Sequence, residues 1–164
     1  MEGHSELSIS VVIPMYNAAK TIERALDSIK EQTFKCYYQI IVVNDGSKDN
    51  SQEIVEKYIA DHPELNITLI NQLNGGVSKA RNTGLKQASG NFIALLDSDD
   101  AWKQKKIEEQ VNVFKTCQHV DFLGTGFAGF GINAEDGRLQ RIFFKDLLFR
   151  NYFQPSTILM KREI

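Results

Sequence analysis

The sequence predicts an α/β domain built on a largely parallel sheet, and three observations carry that expectation. Short, apolar, β-branched runs recur along the chain. Longer segments between them show the 3.6-residue periodicity of amphipathic helices. The two kinds of segment alternate four times in succession, as strand–helix–strand units do.

Residues 9–13, Ile-Ser-Val-Val-Ile, make a first strand suited to burial on both faces. Ile22, Ala25, Leu26 and Ile29 then fall at i, i+3, i+4 and i+7, one face of a helix. Residues 40–43 are the second strand, and 51–60 a second helix with Pro63 just past its end. Residues 67–70 form a third strand. A helix over about 77–88 follows, with Gly90 expected as a left-handed residue closing it. Residues 92–96 are a fourth strand and 103–114 a fourth helix. Beyond a run at 120–123 the pattern changes. Glycines at 124, 126, 129 and 131 and a polar turn at 133–137 lead toward a hairpin into 139–144. A short helix over 145–150 and a strand over 156–160 complete the expectation. Residues 1–7 read as an N-terminal extension, 8–117 as the α/β domain and 118–164 as the start of a further portion.

The chain's 164 residues suffice for one domain with a real core, and 42% hydrophobic with 24% charged residues is an ordinary globular balance. A formal charge of −2 gives no basic field for nucleic acid. Cys36 and Cys117 form no CxxC pattern, so neither a disulfide framework nor a zinc site is expected. The N-terminus lacks a signal-peptide pattern, and the longest apolar run, 9–15, is broken by Ser10 and Pro14. A soluble, cytoplasmic protein is the expectation.

Right-handed crossovers put every parallel strand's carboxyl end on one sheet edge, where open α/β sheets bind ligands. Strand one delivers Pro14, Met15, Tyr16 and Asn17 there. Proline ends the pairing, and Tyr16 offers a flat ring to a base; taken alone, a plain strand-to-helix turn with Asn17 as helix cap is the favoured reading. Strand two delivers Asn44, Asp45, Gly46 and Ser47. Asp45 can accept from a nucleobase N–H and Gly46 allows a positive-φ turn; a loop bonding its own backbone is the alternative. Gly75 and Gly76 precede a helix start, which favours anions, and Arg81 lies one turn in. Strand four ends in Asp97-Ser98-Asp99-Asp100. Residues i and i+2 of an extended segment point the same way, so Asp97 and Asp99 can share one hard divalent cation. Asp100 is expected to cap the next helix. The match to GxGxxG at 124–129 is rejected as a dinucleotide site, because no helix opens after it.

Residues 10–17, 42–47, 76–84 and 96–100 resemble, in order and spacing, successive motifs of the family 2 glycosyltransferases with the GT-A fold. The resemblance covers roughly residues 8–117. It implies a Rossmann-like three-layer αβα sandwich with a mostly parallel central sheet. It implies an inverting transferase that moves a hexose-type sugar from a nucleotide-sugar, a UDP-sugar above all, with Mg²⁺ or Mn²⁺. By position, Pro14, Tyr16 and Asn17 would lie at the base, Asp45 would accept from the uracil N3–H, and Gly76 and Arg81 would lie near the nucleotide. Asp97 and Ser98 would sit by the ribose, and Asp99, with Asp97, would hold the cation. The acceptor would be a glycan or lipid-linked sugar in bacterial surface polysaccharide synthesis.

Members of this family carry their base carboxylate in a later acidic segment, beyond the strand that residues 156–160 resemble. Asp136 and Asp146 do not fit that role, so the base is expected beyond Ile164 and the chain to be a fragment that binds donor but transfers poorly. The aromatic and basic stretch 141–153 reads as core or subunit packing, with contact to the inner face of the cell membrane and self-association left open. A non-catalytic nucleotide-binding domain with a regulatory or scaffolding role is the competing expectation.

Overall fold

A computed structural model of the chain describes residues 7–117, 119–125 and 154–163. The expected hairpin at 139–144, the helix at 145–150, the aromatic stretch 141–153, Asp136 and Asp146 lie outside the described residues, as do positions 126–129 of the glycine pattern.

The elements run β1 (Ser8–Met15), α1 (Ile22–Lys30), β2 (Tyr37–Asn44), α2 (Ser51–Asp61), β3 (Asn66–Asn71), α3 (Val77–Gln87), β4 (Phe92–Leu95), α4 (Lys106–Thr116), β5 (Phe122–Gly124), a 3-10 turn (Pro155–Thr157) and β6 (Ile158–Lys161). Among the described residues the sheet has six strands in the order β3-β2-β1-β4-β6-β5. β1 pairs in parallel with β2 and β4, and β2 with β3. β6 is antiparallel to both neighbours.

Alternation along the strands sorts the core into two faces. Val11, Ile13, Met15, Ile40 and Val42 join Ile22, Leu26, Val55, Ile107 and Phe114, so α1, α2 and α4 cover one side. Val12, Ile41 and Val43 meet Ala80 of α3 on the other. The result is the three-layer sandwich. Residues such as Ile13, Ile40 and Leu26 are fully buried, each worth roughly 1.5–3 kcal/mol of apolar transfer. α3 lies close to the sheet because Gly84 carries no side chain: a Cβ there would sit 2.4 Å from Val12 Cγ1.

Met15 is in register with Asn44, and Asn44 with Asn71, so three strands finish level on one edge. The Leu96 N–H donates to the Val12 carbonyl, which brings the end of β4 to the same edge.

Several boundaries differ from expectation for definable reasons. α4 begins at Lys106 rather than 103, since the Lys103 and Gln104 carbonyls accept from Gln32 Nε2 and the Thr33 N–H of the chain after α1. The last strand begins at Ile158 rather than 156, because Pro155 opens a 3-10 turn. Gly90 is not left-handed: among the described glycines only Gly46 and Gly76 have positive φ. It is required instead by close approach, since a Cβ would lie 2.7 Å from the Ser10 nitrogen. Cys36 and Cys117 are free.

Candidate functional site

At the shared strand edge lies an open cavity of about 400 Å³, and every residue singled out for ligand or cation binding lines it, from Pro14, Tyr16 and Asn17 through Asp45, Gly76 and Arg81 to Asp97, Ser98 and Asp99. That size is within the usual range for a small-molecule site.

Three loops are stitched together beneath it. Asn17 has φ of 51° and does not cap α1, whose cap position is Thr21. Its N–H donates to Ser47 Oγ at 3.0 Å, while its Oδ1 accepts from the Lys48 N–H at 2.8 Å. The loop after β1 is thus tied to the loop after β2. Asp49 strengthens the tie by accepting from the Ala19 N–H and from the Ser51 hydroxyl. The Ser51 bond is the main reason the Asp49 carboxyl lies below its ordinary value.

Asp45 joins the second loop to the third. It is 3% exposed, and its Oδ1 accepts from Gln72 Nε2 at 2.6 Å and the Gly75 N–H at 2.9 Å. Its Oδ2 accepts from the Gly76 N–H at 2.8 Å. Burial alone would raise its pKa; the Gln72, Gly75 and Gly76 bonds and the nearby Lys79 charge outweigh burial and lower it. Gly46 makes its turn at φ of 74° and Gly76 at 88°, which suits glycine at both positions.

The acidic run is divided. Asp97 Oδ1 forms an ion pair with Arg81 Nη2 at 2.6 Å. Arg81 Nε is buried with no partner among the described residues. Among the described residues nothing hydrogen-bonds the Asp99 carboxylate, although its carbonyl accepts from Arg24. Asp100 does not cap α4, whose cap position is Lys105. It accepts from the Ser156 hydroxyl at 2.5 Å instead.

Gln72, Asn74, Asp49, Arg24, Trp102 and Ser156 were not anticipated. Gln72 had a signal, being a polar residue just past β3 on the ligand edge. Ser156 had none, since its partners lie far back in the chain.

Asp97 and Asp99 fit a hard divalent cation in one respect. They supply two oxygen donors on the cavity wall, one of them uncommitted. Among the described residues no group of three or more His, Cys, Asp or Glu side chains is placed to hold a metal. The donor set therefore suits a cation that takes its other ligands from phosphate and water.

The sandwich, its strand order and this edge define a GT-A domain. Among solved structures, S. aureus TarS in complex with UDP aligns with a TM-score of 0.73 at 29% identity, over 95% of this chain and 47% of that one. The mannosyltransferase PcManGT from Pyrobaculum calidifontis, in complex with GDP-Man and Mn²⁺, aligns at 0.73 and 25% identity, over 94% of this chain and 44% of that one. In sequence the chain is 34% identical over 159 residues to the UDP-Glc:alpha-D-GlcNAc-diphosphoundecaprenol beta-1,3-glucosyltransferase WfgD of Escherichia coli, covering 95% of this chain and 61% of that protein. It is 41% identical over 119 residues to the glycosyltransferase EpsJ of Bacillus subtilis, covering 73% and 33% respectively. The model for Glycosyl transferase family 2 matches residues 10–162. The chain belongs to the family 2 glycosyltransferases. It spans 33% of EpsJ and 61% of WfgD. Among the described residues no helix is long and apolar enough to cross a membrane.

Proposed function

We propose that this chain is the donor-binding part of an inverting glycosyltransferase that takes a hexose from a UDP-sugar and passes it to a glycan or lipid-linked acceptor in surface polysaccharide synthesis. The observation that carries the proposal is the convergence of Tyr16, Asp45, Arg81, Asp97 and Asp99 on one cavity. The UDP complex of TarS and the sugar-nucleotide named for WfgD favour uracil as the base.

Each residue then has a chemical task. Tyr16, 46% exposed at the cavity, stacks on the base. Asp45 Oδ2 takes one hydrogen bond from the protein and keeps a lone pair for an imino N–H. The first turn of α3 and the Arg81 guanidinium, on the cavity wall, supply donors for the ligand's phosphate and ribose oxygens. Asp99, with Asp97, holds Mg²⁺ or Mn²⁺. That cation, when bound, neutralises charge on the departing diphosphate.

Calorimetric titration of UDP, with and without Mn²⁺ and with ADP and GDP as controls, tests this directly. UDP should bind best, more tightly with Mn²⁺, and Asp99→Ala should lose the Mn²⁺ gain, about tenfold or more in Kd. Failure of every nucleotide to bind, with or without the cation, would sink the proposal. Tighter GDP than UDP binding would overturn the choice of base.

A further inference from the structure

Three carboxylates in four residues repel one another, so something must decide which of them face the cavity. Asp97 and Asp99 line it; Asp100 does not. Among the described residues, the one hydroxyl that touches both ends of the run is Ser156. Its Oγ accepts from the Asp97 N–H at 2.9 Å and donates to Asp100 Oδ2 at 2.5 Å. Donor and acceptor are both used, and the side chain is buried at 8% exposure. The Asp100 N–H also closes a turn onto the Asp97 carbonyl at 3.0 Å, so the serine spans a loop already bent toward it.

Ser156 is itself fixed from two sides. The Trp102 Nε1–H donates to its carbonyl at 2.8 Å, and Gln110 Nε2 donates to the Thr157 carbonyl at 2.9 Å. Trp102 is 7% exposed and lies two residues past Asp100. The 3-10 turn at the head of β6 is therefore a rigid base for one hydroxyl aimed at the acidic loop.

We infer that Ser156 is a positioning residue for the cation site: by drawing Asp100 away from the cavity and pinning the Asp97 N–H, it presents Asp97 and Asp99 as a pair. This inference rests on the proposed donor and cation site. It predicts that losing the hydroxyl weakens the cation-assisted part of nucleotide binding and leaves the cation-free part alone.

UDP affinity of the whole chain should be measured with and without Mn²⁺, alongside Mn²⁺ affinity in the presence of UDP by electron paramagnetic resonance and thermal melting of each variant. Ser156→Ala should lose about tenfold of the Mn²⁺-dependent gain, the effect of one charge-assisted hydrogen bond, with metal-free UDP binding unchanged. Ser156→Thr, which keeps a hydroxyl, should restore most of it. Trp102→Phe keeps an aromatic side chain but loses the N–H and part of the indole's bulk, and should reproduce the loss in weaker form; with the Thr variant it decides the matter if the Ala variant does not fold. A full Mn²⁺ gain in folded Ser156→Ala or Trp102→Phe would overturn the positioning role, as would an equal loss with and without the cation. If the wild-type chain binds UDP with no Mn²⁺ gain, the cation site falls and this inference falls with it; if it binds no nucleotide at all, the donor-site proposal itself falls.

Discussion

Asp45 is a buried carboxylate whose three partners all come from residues 72–76, so its charge organises a loop as well as a cavity. Its folded pKa lies below the unfolded value, so its stabilisation is complete above about pH 4 and is lost as pH falls through the folded value. Asp45→Asn sets an amide N–H₂ against backbone N–H donors. It should cost about 2 kcal/mol at pH 7, and the difference from wild type should shrink in acid; urea unfolding at pH 7 and pH 3 checks both. Asp49, shifted the same way, keeps part of the acid dependence in that variant. Lys106 works in the opposite direction. Its ammonium lies 4.2 Å from the Trp102 ring centroid and donates to Gln110 Oε1 at 2.8 Å, yet burial pushes its pKa down to about 7. The cost of the buried charge is full below pH 7 and fades as the pH climbs toward the unfolded lysine value. Wild-type stability should therefore rise between pH 7 and 9 relative to Lys106→Met, and denaturant midpoints across that range would show whether the difference in slope exists.

At the scale of elements, the tightest fit is α3 against β1 and β2. Gly84→Ala gains about 1 kcal/mol of helix propensity, but its methyl meets Val12 at 2.4 Å and Val43 at 3.3 Å. Overpacking of that kind costs roughly 1–3 kcal/mol, so the variant should melt lower than wild type. Helix propensity winning would appear as a rise instead. The strand–helix pairs were legible because periodicity is a local property: Ile22, Ala25, Leu26 and Ile29 announce α1 whatever surrounds them. The convergence of Asp45, Arg81, Asp97 and Asp99 was legible because parallel strands share a direction. What escaped was set by tertiary contact. Gly90 was expected to satisfy a backbone angle, but it makes room for Ser10. Asp100 was expected to cap α4, but Ser156 competes for it from the head of neighbouring β6. Asn17 was read as a possible helix cap, but it serves two loops at once. No local pattern records such long-range partners.

At the scale of the whole molecule, the proposed donor should act as a stabiliser, since a ligand that binds only the folded state adds about 2.7 kcal/mol at a hundredfold excess over Kd. For a chain of this size that corresponds to about 5–10 °C in Tm. UDP with Mn²⁺ should produce it, UDP alone less, and Asp99→Ala should erase the increment due to the cation; thermal melts of both proteins measure this. The antiparallel β6 also orders events in time. β1, β2 and β3 are joined by short crossovers, whereas Ala94 must wait for Leu159 before β4 gains its outer neighbour. Closing so long a loop is slow and entropically expensive, so β6 should dock late in folding and its loss should come early in unfolding. Substitutions at Ser156 should accordingly speed unfolding and leave the folding rate nearly unchanged. A nascent chain would order the loops after β1, β2 and β3 first and would acquire an ordered acidic loop only when β6 arrives.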